Sequence, residues 1–363
     1  MNINTFITRN GLILFCVTIM LPLIFISDGF GKQNEPVKAY YKNKKLKSEE
    51  TFKDGKLDGL IKTYYENGQL QCEGNWKDGE QEGLSKTYYE TGEMESEGTF
   101  KDGKREGSMR VYYENGQLKF NGAYKNDKAD GTLKKYYENG RIQTEETLKD
   151  GKDDGVVKNY YKSGNLQAEG VFKDGRRNGL DKTYYESGQL ESEGTCKDDK
   201  QDGLMKTYYE NGQLRSEGVY RDGKLEGPYK NYYENGNVME EGIYKDGKDE
   251  GPYKMYYESG QLKGSGTSKN GKLEGLVKDY YQNGQLKSEG EFKDDKSEGS
   301  YKNYYENGNM KEEGAYKGGK LEGKVKRYRE DGSVEYIKTY SNGVVINLKS
   351  YDTRGKLESE ENY

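Results

Sequence analysis

The acidic side chains are the first groups to consider for chemistry. Adjacent carboxylates occur at Asp153-Asp154 and Asp198-Asp199, where they could serve acid–base catalysis or calcium binding. Turns recruit Asp because its side chain accepts hydrogen bonds from nearby backbone. The sequence contains no D-x-D-x-D-G loop of the calcium-binding type. We therefore interpret both pairs as turn residues, and we predict no metal site.

The remaining candidates for catalysis lack partners of the right type. The chain has no histidine, which excludes His-dependent triads and His-ligated metals. The segment Gly264-Ser265-Gly266 resembles a phosphate loop in composition, but no helix is predicted after it to supply an N-terminal dipole. An active site is one constellation of groups with separate roles, whereas tyrosine and carboxylate recur here throughout. We predict no enzymatic activity, no cofactor and no small-molecule substrate.

A sequence motif of the type Lys-Thr-Tyr-Tyr-Glu-Asn-Gly-Gln-Leu recurs along the chain. It stands unchanged at residues 62–70 and 206–214. A fixed period of about 20–50 residues is typical of solenoids and other arrays. The first tyrosine of each pair follows the previous one by 24 residues, in thirteen repeats without a slip: Tyr40, Tyr64, Tyr88, Tyr112, Tyr136, Tyr160, Tyr184, Tyr208, Tyr232, Tyr256, Tyr280, Tyr304 and Tyr328.

Two turn signals divide each repeat into strands. In the repeat of Tyr64 they are Asn67-Gly68 and Asp78-Gly79, which favour type I′ hairpin turns because both residues of each pair accept positive φ. The segments between the turns have the length and alternation of strands. The sequence therefore predicts an all-β fold, an elongated single-layer antiparallel array of β-hairpins with a 24-residue period and thirteen repeats.

The turn at Asn67-Gly68 sets the predicted register of the hairpin. With Glu66 opposite Gln69, the partners are Tyr65 with Leu70, Lys62 with Glu73, Ile61 with Gly74 and Gly59 with Trp76. Side chains alternate between the two faces of a sheet. One face should therefore be apolar, with Tyr65, Leu70, Cys72, Gly74 and Trp76. The other should carry Tyr64 beside the Lys–Glu pairs.

Glycine opposite an aromatic residue allows the ring to lie over bare backbone. This predicts that Gly59 and Gly83 lie under the rings of Trp76 and Phe100. The residues to which we assign a structural role in the repeat are Tyr64, Tyr65, Gly68, Leu70, Gly74, Trp76, Gly79 and Gly83.

The repeat resembles a known family. Its Tyr-Tyr-Glu-Asn-Gly-Gln-Leu, followed by Glu-Gly-x-aromatic-Lys-Asp-Gly-Lys-x-x-Gly, is similar to the bacterial variant of the MORN repeat over residues 38–347. Such arrays occur in proteins labelled YwqK-family antitoxins, so an antitoxin-like role is one alternative. The resemblance implies a twisted sheet of hairpins that serves as a scaffold for protein or lipid contacts, without a reaction.

The N-terminal segment has the pattern of an export signal. Met1–Asn10 contains one basic side chain, Gly11–Ile26 has no charge, and Gly29 and Gly31 occupy the small positions of a small-x-small cleavage site. We predict an exported protein (periplasmic, cell-surface or secreted), or alternatively one anchored in the membrane by this segment. The predicted organisation is a signal peptide at 1–31, a cap at 32–39, repeats at 40–351 and a tail at 352–363.

The charge of the chain restricts its partners. The sequence has 59 basic and 64 acidic residues, and both signs are interleaved every few residues. No basic stripe follows the chain, which argues against nucleic-acid binding. A nearly balanced charge also provides little attraction to anionic lipid.

One position on the predicted apolar face varies more than the others. It is Ile61 in one repeat and Ser85, Met109, Leu133, Val157, Asp181, Met205, Tyr229, Tyr253 and Tyr301 elsewhere. Variation on a regular frame can encode recognition, so we predict partner contact at Tyr229, Tyr253 and Tyr301, centred on residues 228–254. The predicted function is a non-enzymatic scaffold for an unidentified protein or cell-surface component. The alternative is a membrane-surface or lipid-binding module.

Overall fold

The structure, a computed structural model, describes residues 36–363. Within this range the regular secondary structure is all β, in 35 strands. Thirty-three of them belong to one open antiparallel sheet, and two form a short ladder of their own. This confirms the prediction of an all-β array of hairpins. The predicted signal peptide and residues 32–35 of the predicted cap lie outside the described residues.

The strands follow one another with short connections. Their bounds are β1 Val37–Tyr40, β2 Leu46–Glu50, β3 Phe52–Lys53, β4 Lys56–Leu57, β5 Gly59–Tyr64, β6 Leu70–Lys77, β7 Glu80–Tyr88, β8 Met94–Lys101, β9 Lys104–Tyr112, β10 Leu118–Lys125, β11 Lys128–Ala129, β12 Gly131–Tyr136, β13 Ile142–Lys149, β14 Lys152–Tyr160, β15 Leu166–Lys173, β16 Arg176–Tyr184, β17 Leu190–Lys197, β18 Lys200–Gln201, β19 Gly203–Tyr208, β20 Leu214–Arg221, β21 Lys224–Tyr232, β22 Val238–Lys245, β23 Lys248–Asp249, β24 Gly251–Tyr256, β25 Leu262–Lys269, β26 Lys272–Leu273, β27 Gly275–Tyr280, β28 Leu286–Lys293, β29 Lys296–Tyr304, β30 Met310–Lys317, β31 Lys320–Leu321, β32 Gly323–Tyr328, β33 Val334–Ser341, β34 Val344–Tyr351 and β35 Leu357–Asn362.

The described residues divide into two compact units. Unit 1 comprises residues 36–166 and 172–175, and unit 2 comprises residues 167–171 and 176–363. Each unit is a succession of hairpins in which a long strand pairs with the long strand before it and the long strand after it, as β6 does with β5 and β7. The predicted tail at 352–363 contains β35, which pairs with β34.

The Asp-Gly corner has the predicted turn. Asp78 and Gly79 both have positive φ, 52° and 92°, as a type I′ turn requires. Lys77 and Glu80 face each other as the last pair before the corner. The corner joins β6 of one repeat to β7 of the next, so it turns the chain from repeat to repeat.

The Asn-Gly corner differs from the prediction. Only Gly68 has positive φ, at 95°. Its N–H donates to the carbonyl of Tyr65, and the Tyr65 N–H donates to the carbonyl of Gln69, both at 2.9 Å. This is a three-residue loop, a type I turn followed by a left-handed glycine. The Asn67 side chain accepts the N–H of Gln69 at 2.8 Å, which holds this geometry.

The extra loop residue changes two predicted pairs. Gln69 closes the loop with Tyr65, so the prediction that Gln69 faces Glu66 was wrong. Leu70 faces Tyr64, so the prediction that it faces Tyr65 was wrong, and the register shifts between Thr63 and Tyr64. Beyond this shift the predicted partners are confirmed: Lys62 with Glu73, Ile61 with Gly74 and Gly59 with Trp76. A turn dipeptide is compatible with several loop lengths, and only the backbone geometry selects one of them.

The two faces of the sheet differ in burial. In unit 1 one face, which we call the core face, carries the buried side chains Ile61, Cys72, Trp76, Ser85, Thr87, Ser96, Phe100, Met109, Val111, Leu133, Thr144, Leu148 and Val157. We call the opposite face, with Tyr64, Lys62 and Glu73 and their equivalents, the ladder face. Met109 is only 2 % exposed, so a long run of hairpins buries side chains that one hairpin could not cover.

The glycines opposite the rings have a different role from the predicted one. A Cβ on Gly83 would meet no atom within 4 Å, and a Cβ on Gly59 would lie nearest the Thr51 side chain, at 3.2 Å. Both glycines have positive φ, 79° and 117°, which explains their identity. A Cβ added at either glycine would therefore not meet the ring of the residue opposite.

The ring of Trp76 lies instead over Gly74, two residues earlier in its own strand. A Cβ on Gly74 would be 3.1 Å from Trp76 Cζ3 and 2.9 Å from Ser85 Oγ. Residues two apart in a strand share a face, and for this reason the ring and the glycine meet along β6 rather than across the hairpin.

Substitution of Gly74 tests this packing. Gly74→Ala should destabilise β6 and β7 by about 1–3 kcal/mol, because the added methyl group overpacks the Trp76 ring. Gly98→Ala is the matched control, since a Cβ there would be in ordinary contact with Met109 and Phe100, at 3.7 and 3.8 Å. Hydrogen exchange of the strand amides measures the local loss. Equal loss in both variants would contradict the assignment.

Candidate binding face

The second tyrosine of each pair joins neighbouring repeats. The Tyr65 hydroxyl donates to the carbonyl of Tyr88, the first tyrosine of the following repeat, at 2.8 Å. The same bond, at 2.6–2.9 Å, links Tyr41 to Tyr64, Tyr89 to Tyr112, Tyr113 to Tyr136, Tyr137 to Tyr160, Tyr185 to Tyr208, Tyr209 to Tyr232, Tyr233 to Tyr256, Tyr257 to Tyr280, Tyr281 to Tyr304 and Tyr305 to Tyr328. Arg329 replaces this tyrosine once, and its guanidinium donates to the carbonyl of Tyr351. These tyrosine hydroxyls and the Arg329 guanidinium therefore serve to hold neighbouring repeats together.

The first tyrosine of each pair is held on the ladder face. The Tyr88 hydroxyl donates to the Glu73 carboxylate of the preceding repeat at 3.1 Å. Equivalent bonds of 2.8–3.3 Å are made by Tyr64, Tyr112, Tyr184, Tyr208, Tyr232, Tyr256, Tyr304 and Tyr328. Burial, together with the hydrogen bond to Glu73, raises the pKa of Tyr88 to about 12. The hydroxyl therefore stays protonated and serves as a donor.

The three tyrosines predicted to contact a partner lie on the core face of unit 2, in three separate strands. Each faces a glycine of the next long strand: Tyr229 with Gly242, Tyr253 with Gly266 and Tyr301 with Gly314. An ideal Cβ on these glycines would lie only 2.7–2.8 Å from the tyrosine side chain. The rings therefore lie flat against bare backbone and remain partly exposed.

Two of these tyrosines belong to aromatic pairs. The ring of Tyr229 meets Tyr244 edge to face, with centroids 4.7 Å apart. The ring of Tyr301 is tilted against Tyr316 at 5.0 Å, and its hydroxyl donates to Glu312 at 3.0 Å. Such pairs stabilise a surface beyond the area they bury. The result is a set of fixed rings with one side open to solvent.

The sequence interpretation missed the carboxylates on this face. Glu240 occupies the register position of Cys72, Asp249 that of Gln81 and Asp279 that of Thr63. The Asn231 amide donates to Glu240 at 2.8 Å, and the Ser288 hydroxyl donates to Asp279 at 2.9 Å. The signal was present in the 24-residue alignment for Glu240, since the equivalent positions in unit 1 hold small or apolar residues. The positions of Asp249 and Asp279 already carry charge in some repeats of unit 1, at Arg105, Asp153 and Lys135.

These carboxylates are close enough to the rings to change their acidity. Burial, and then the charge of Asp249, raises the pKa of Tyr244. Burial, and then the charges of Glu240 and Asp249, raises the pKa of Tyr229. Both phenols therefore remain neutral donors beside acceptors. Among residues 225–292, the register places no Lys or Arg on the core face, so this region of the face is acidic.

A second polar group on the core face of unit 2 surrounds Cys196. This residue has a buried free thiol. The thiol donates to Asp181 Oδ2 at 3.1 Å, and Arg177 lies 3.6 Å from the same oxygen. Burial and the bond to Asp181 raise the pKa of the Cys196 thiol to about 12. A protonated thiol is a poor nucleophile, so this group offers no catalytic cysteine.

Two further classes of site receive no support from the described residues. Among residues 36–363 no cluster of three or more Cys, Asp or Glu side chains has the geometry of a metal site. The same part of the chain contains no helix of the length and hydropathy needed to cross a membrane.

The comparison with protein families identifies the repeat. The profile of the MORN repeat variant matches thirteen segments: 36–54, 57–78, 81–102, 105–126, 129–150, 153–174, 177–198, 201–222, 225–246, 249–270, 273–294, 297–317 and 321–342. The chain belongs to the MORN repeat variant family. Successive matches begin 24 residues apart, except for the first interval. These MORN repeats account for most of the described residues.

Comparisons with individual proteins add little. No curated protein matches this chain. Among solved structures, the crystal structure of TcdB2-TccC3-Cdc42 is 11% identical, with 87% of this chain and 22% of that chain covered and a TM-score of 0.16. The crystal structure of TcdB2-TccC3 is 12% identical, with 90% and 24% covered and a TM-score of 0.16. The chain thus spans about a quarter or less of these proteins. Similarity at this level carries no functional information.

The tyrosine ladder predicts an alkaline limit to stability. Folding raises the pKa of Tyr88, Tyr208 and Tyr232 to about 12 from the ordinary value of 10.0. A raised pKa means that the folded state disfavours the phenolate. The stabilisation is therefore complete below about pH 10 and is lost as the pH rises through about 12.

Urea unfolding followed by circular dichroism at increasing pH measures this loss, with phenolate absorbance as the titration signal. A variant with Tyr88, Tyr208 and Tyr232 changed to Phe is the control, because Phe keeps the ring and has no proton to lose. It should lose less stability across the window than the unchanged chain. The same loss in both would show that the ladder hydroxyls are not responsible.

Proposed function

We propose that this MORN-repeat chain is a non-enzymatic exported scaffold that binds another protein or a cell-surface component through the core face of unit 2. The observation that carries the proposal is the set of partly exposed rings of Tyr229, Tyr253 and Tyr301, each packed on a glycine. Rings held in this way are pre-organised, so a partner would gain contact area at a small entropic cost. Export is inferred from the sequence of residues 1–31.

The charge of this face favours a particular class of partner. Glu240, Asp249 and Asp279 contribute negative charge, and the register places no basic side chain beside them between residues 225 and 292. A Lys or Arg side chain of a partner could pair with these carboxylates and stack on a neighbouring tyrosine ring. A partner segment with basic residues is therefore the best match. The YwqK-family label and its antitoxin-like role stay predictions from sequence.

Partner capture with matched variants tests the proposal. The core-face variant changes Tyr229, Tyr253 and Tyr301 to Ser. The control changes Tyr232, Tyr256 and Tyr304 to Phe, since these tyrosines lie in the same repeats on the ladder face. A direct partner should be retained by the unchanged chain and the control, and should bind the core-face variant at least about tenfold more weakly, because hot-spot tyrosines contribute more than 1 kcal/mol each.

Each variant is first compared with the unchanged chain by circular dichroism, so that loss of binding is not confused with loss of fold. Binding of the captured partner is then measured at low and high salt. Affinity that falls with salt agrees with pairing of basic groups to the carboxylates. Equal affinity for all three chains would reject the core face as the binding surface.

A further inference from the structure

Among the described strands, the first and the last each have a partner on one side only. β1 pairs only with β2 among the described strands, and β35 pairs only with β34. All six residues of β35 are exposed. An unpaired strand edge presents free N–H and C=O groups that can pair with another strand. Natural proteins usually cover or block such edges, so the identity of the residues here is informative.

The last hairpin repeats the plan of the internal hairpins. In β35, Leu357, Ser359 and Glu360 occupy the positions of Leu46, Ser48 and Glu49 in β2. β1 in turn has the pattern of β5, since Lys38 and Ala39 stand where Lys62 and Thr63 stand one repeat later. Inside the array β2 pairs with β5, with Ser48 opposite Thr63 and Glu49 opposite Lys62. β35 therefore corresponds to β2, and β1 corresponds to β5, the two strands that pair where one internal hairpin meets the next.

We propose that β35 of one copy pairs with β1 of a second copy, so that the chains associate head to tail. In the register of the β2–β5 junction, Ser359 lies opposite Ala39 and Glu360 opposite Lys38 of the other copy. In this register the core-face side chains of both strands lie on the same side of the sheet, as they do where β2 pairs with β5. The occupant of each edge is therefore a second copy of this chain, selected by its strand pattern.

Charge supports this register. Inside the array Glu289 lies 3.7 Å from Lys278 on one side and 3.7 Å from Lys302 on the other. Glu360 pairs with one lysine, Lys349, at 3.1 Å, and accepts the Asn347 amide at 3.1 Å, both on the side of β34. Lys38 likewise has Glu49, at 3.1 Å, on the side of β2. Pairing of the two edges supplies each of these end residues with the second partner that internal residues have.

Apolar side chains at the two edges are exposed in the single chain. Val37 is 55 % and Tyr40 58 % exposed, and Leu357 is 44 % exposed. Ile61, the internal equivalent of Val37, is only 2 % exposed. Tyr40 also occupies the position of Tyr64, whose hydroxyl donates to Glu49. In the junction its hydroxyl would donate to Glu360 of the other copy.

One internal bond is missing from the proposed junction. Asp352 stands where the second tyrosine would be, and its carboxylate accepts the N–H groups of Arg354 and Lys356 within its own turn. It cannot donate to the carbonyl of Tyr40. The junction is therefore weaker than an internal one, and the association should be reversible and depend on concentration.

Mixed cysteine variants of the full chain test both the contact and its direction. One population carries Ala39→Cys and the other Ser359→Cys. Under mild oxidation the mixture should form a disulfide-linked dimer that neither population forms alone, because each alone has a new thiol at one edge only. Ala39→Cys mixed with Asn362→Cys is the matched control, since Asn362 lies three residues farther along the regular part of β35 and points to the opposite face from Ser359. The unchanged chain reports any background from the native cysteines.

A charge variant gives a second readout. Adding Glu360→Lys to the Ser359→Cys chain should lower the dimer yield by up to about fivefold, the range expected for loss of one cross-strand pair. Light scattering should show a mass that rises with concentration for the unchanged chain and less for Glu360→Lys. No mixed dimer above background, or an equal yield in the Asn362→Cys control, would overturn the proposal. Circular dichroism confirms that the variants are folded.

Discussion

The backbone pairing of each hairpin with the next is the interaction on which the rest of the structure depends. A single hairpin of this sequence has too few apolar side chains to offset the entropy of ordering its backbone. Ile61 and Met109 reach 2 % exposure only because other hairpins stand on either side. Every device that keeps the hairpins in register therefore contributes to the stability of its neighbours as well, as in other repeat proteins.

Three such devices recur with the same period. The Asp-Gly corner turns the chain from one repeat to the next, the second tyrosine donates to a carbonyl 23 residues ahead, and the first tyrosine donates to a carboxylate 15 residues behind. The hydroxyl groups of both tyrosines are therefore engaged in hydrogen bonds within the array. The abundance of tyrosine is thus a consequence of the architecture, in which a hydroxyl at the tip of a flat ring reaches from one hairpin to the next.

The corners and the tyrosine hydrogen bonds recur along the array, and the repeats differ from one another on the core face. In unit 1 this face holds small and apolar side chains such as Ile61 and Val111, which are buried. In unit 2 the equivalent positions include Tyr229, Glu240 and Asp249, and they are less completely buried. A difference of this kind changes the surface without changing the backbone, because the corners and ladders are the same in both units.

The sequence alone determined the period, the strand order and most of the register, because turn residues and alternating patterns are local properties that recur in every repeat. It also placed Tyr229, Tyr253 and Tyr301 on the core face. Only the tertiary structure decided the form of the Asn-Gly corner, since Asn67-Gly68 fits loops of two lengths and the difference lies in one φ angle. It likewise showed that Trp76 covers Gly74, and that Glu240, Asp249 and Asp279 lie on the same face as the tyrosines. Those facts depend on bulges and neighbouring strands, which bring together residues that the pattern of any single strand leaves unrelated.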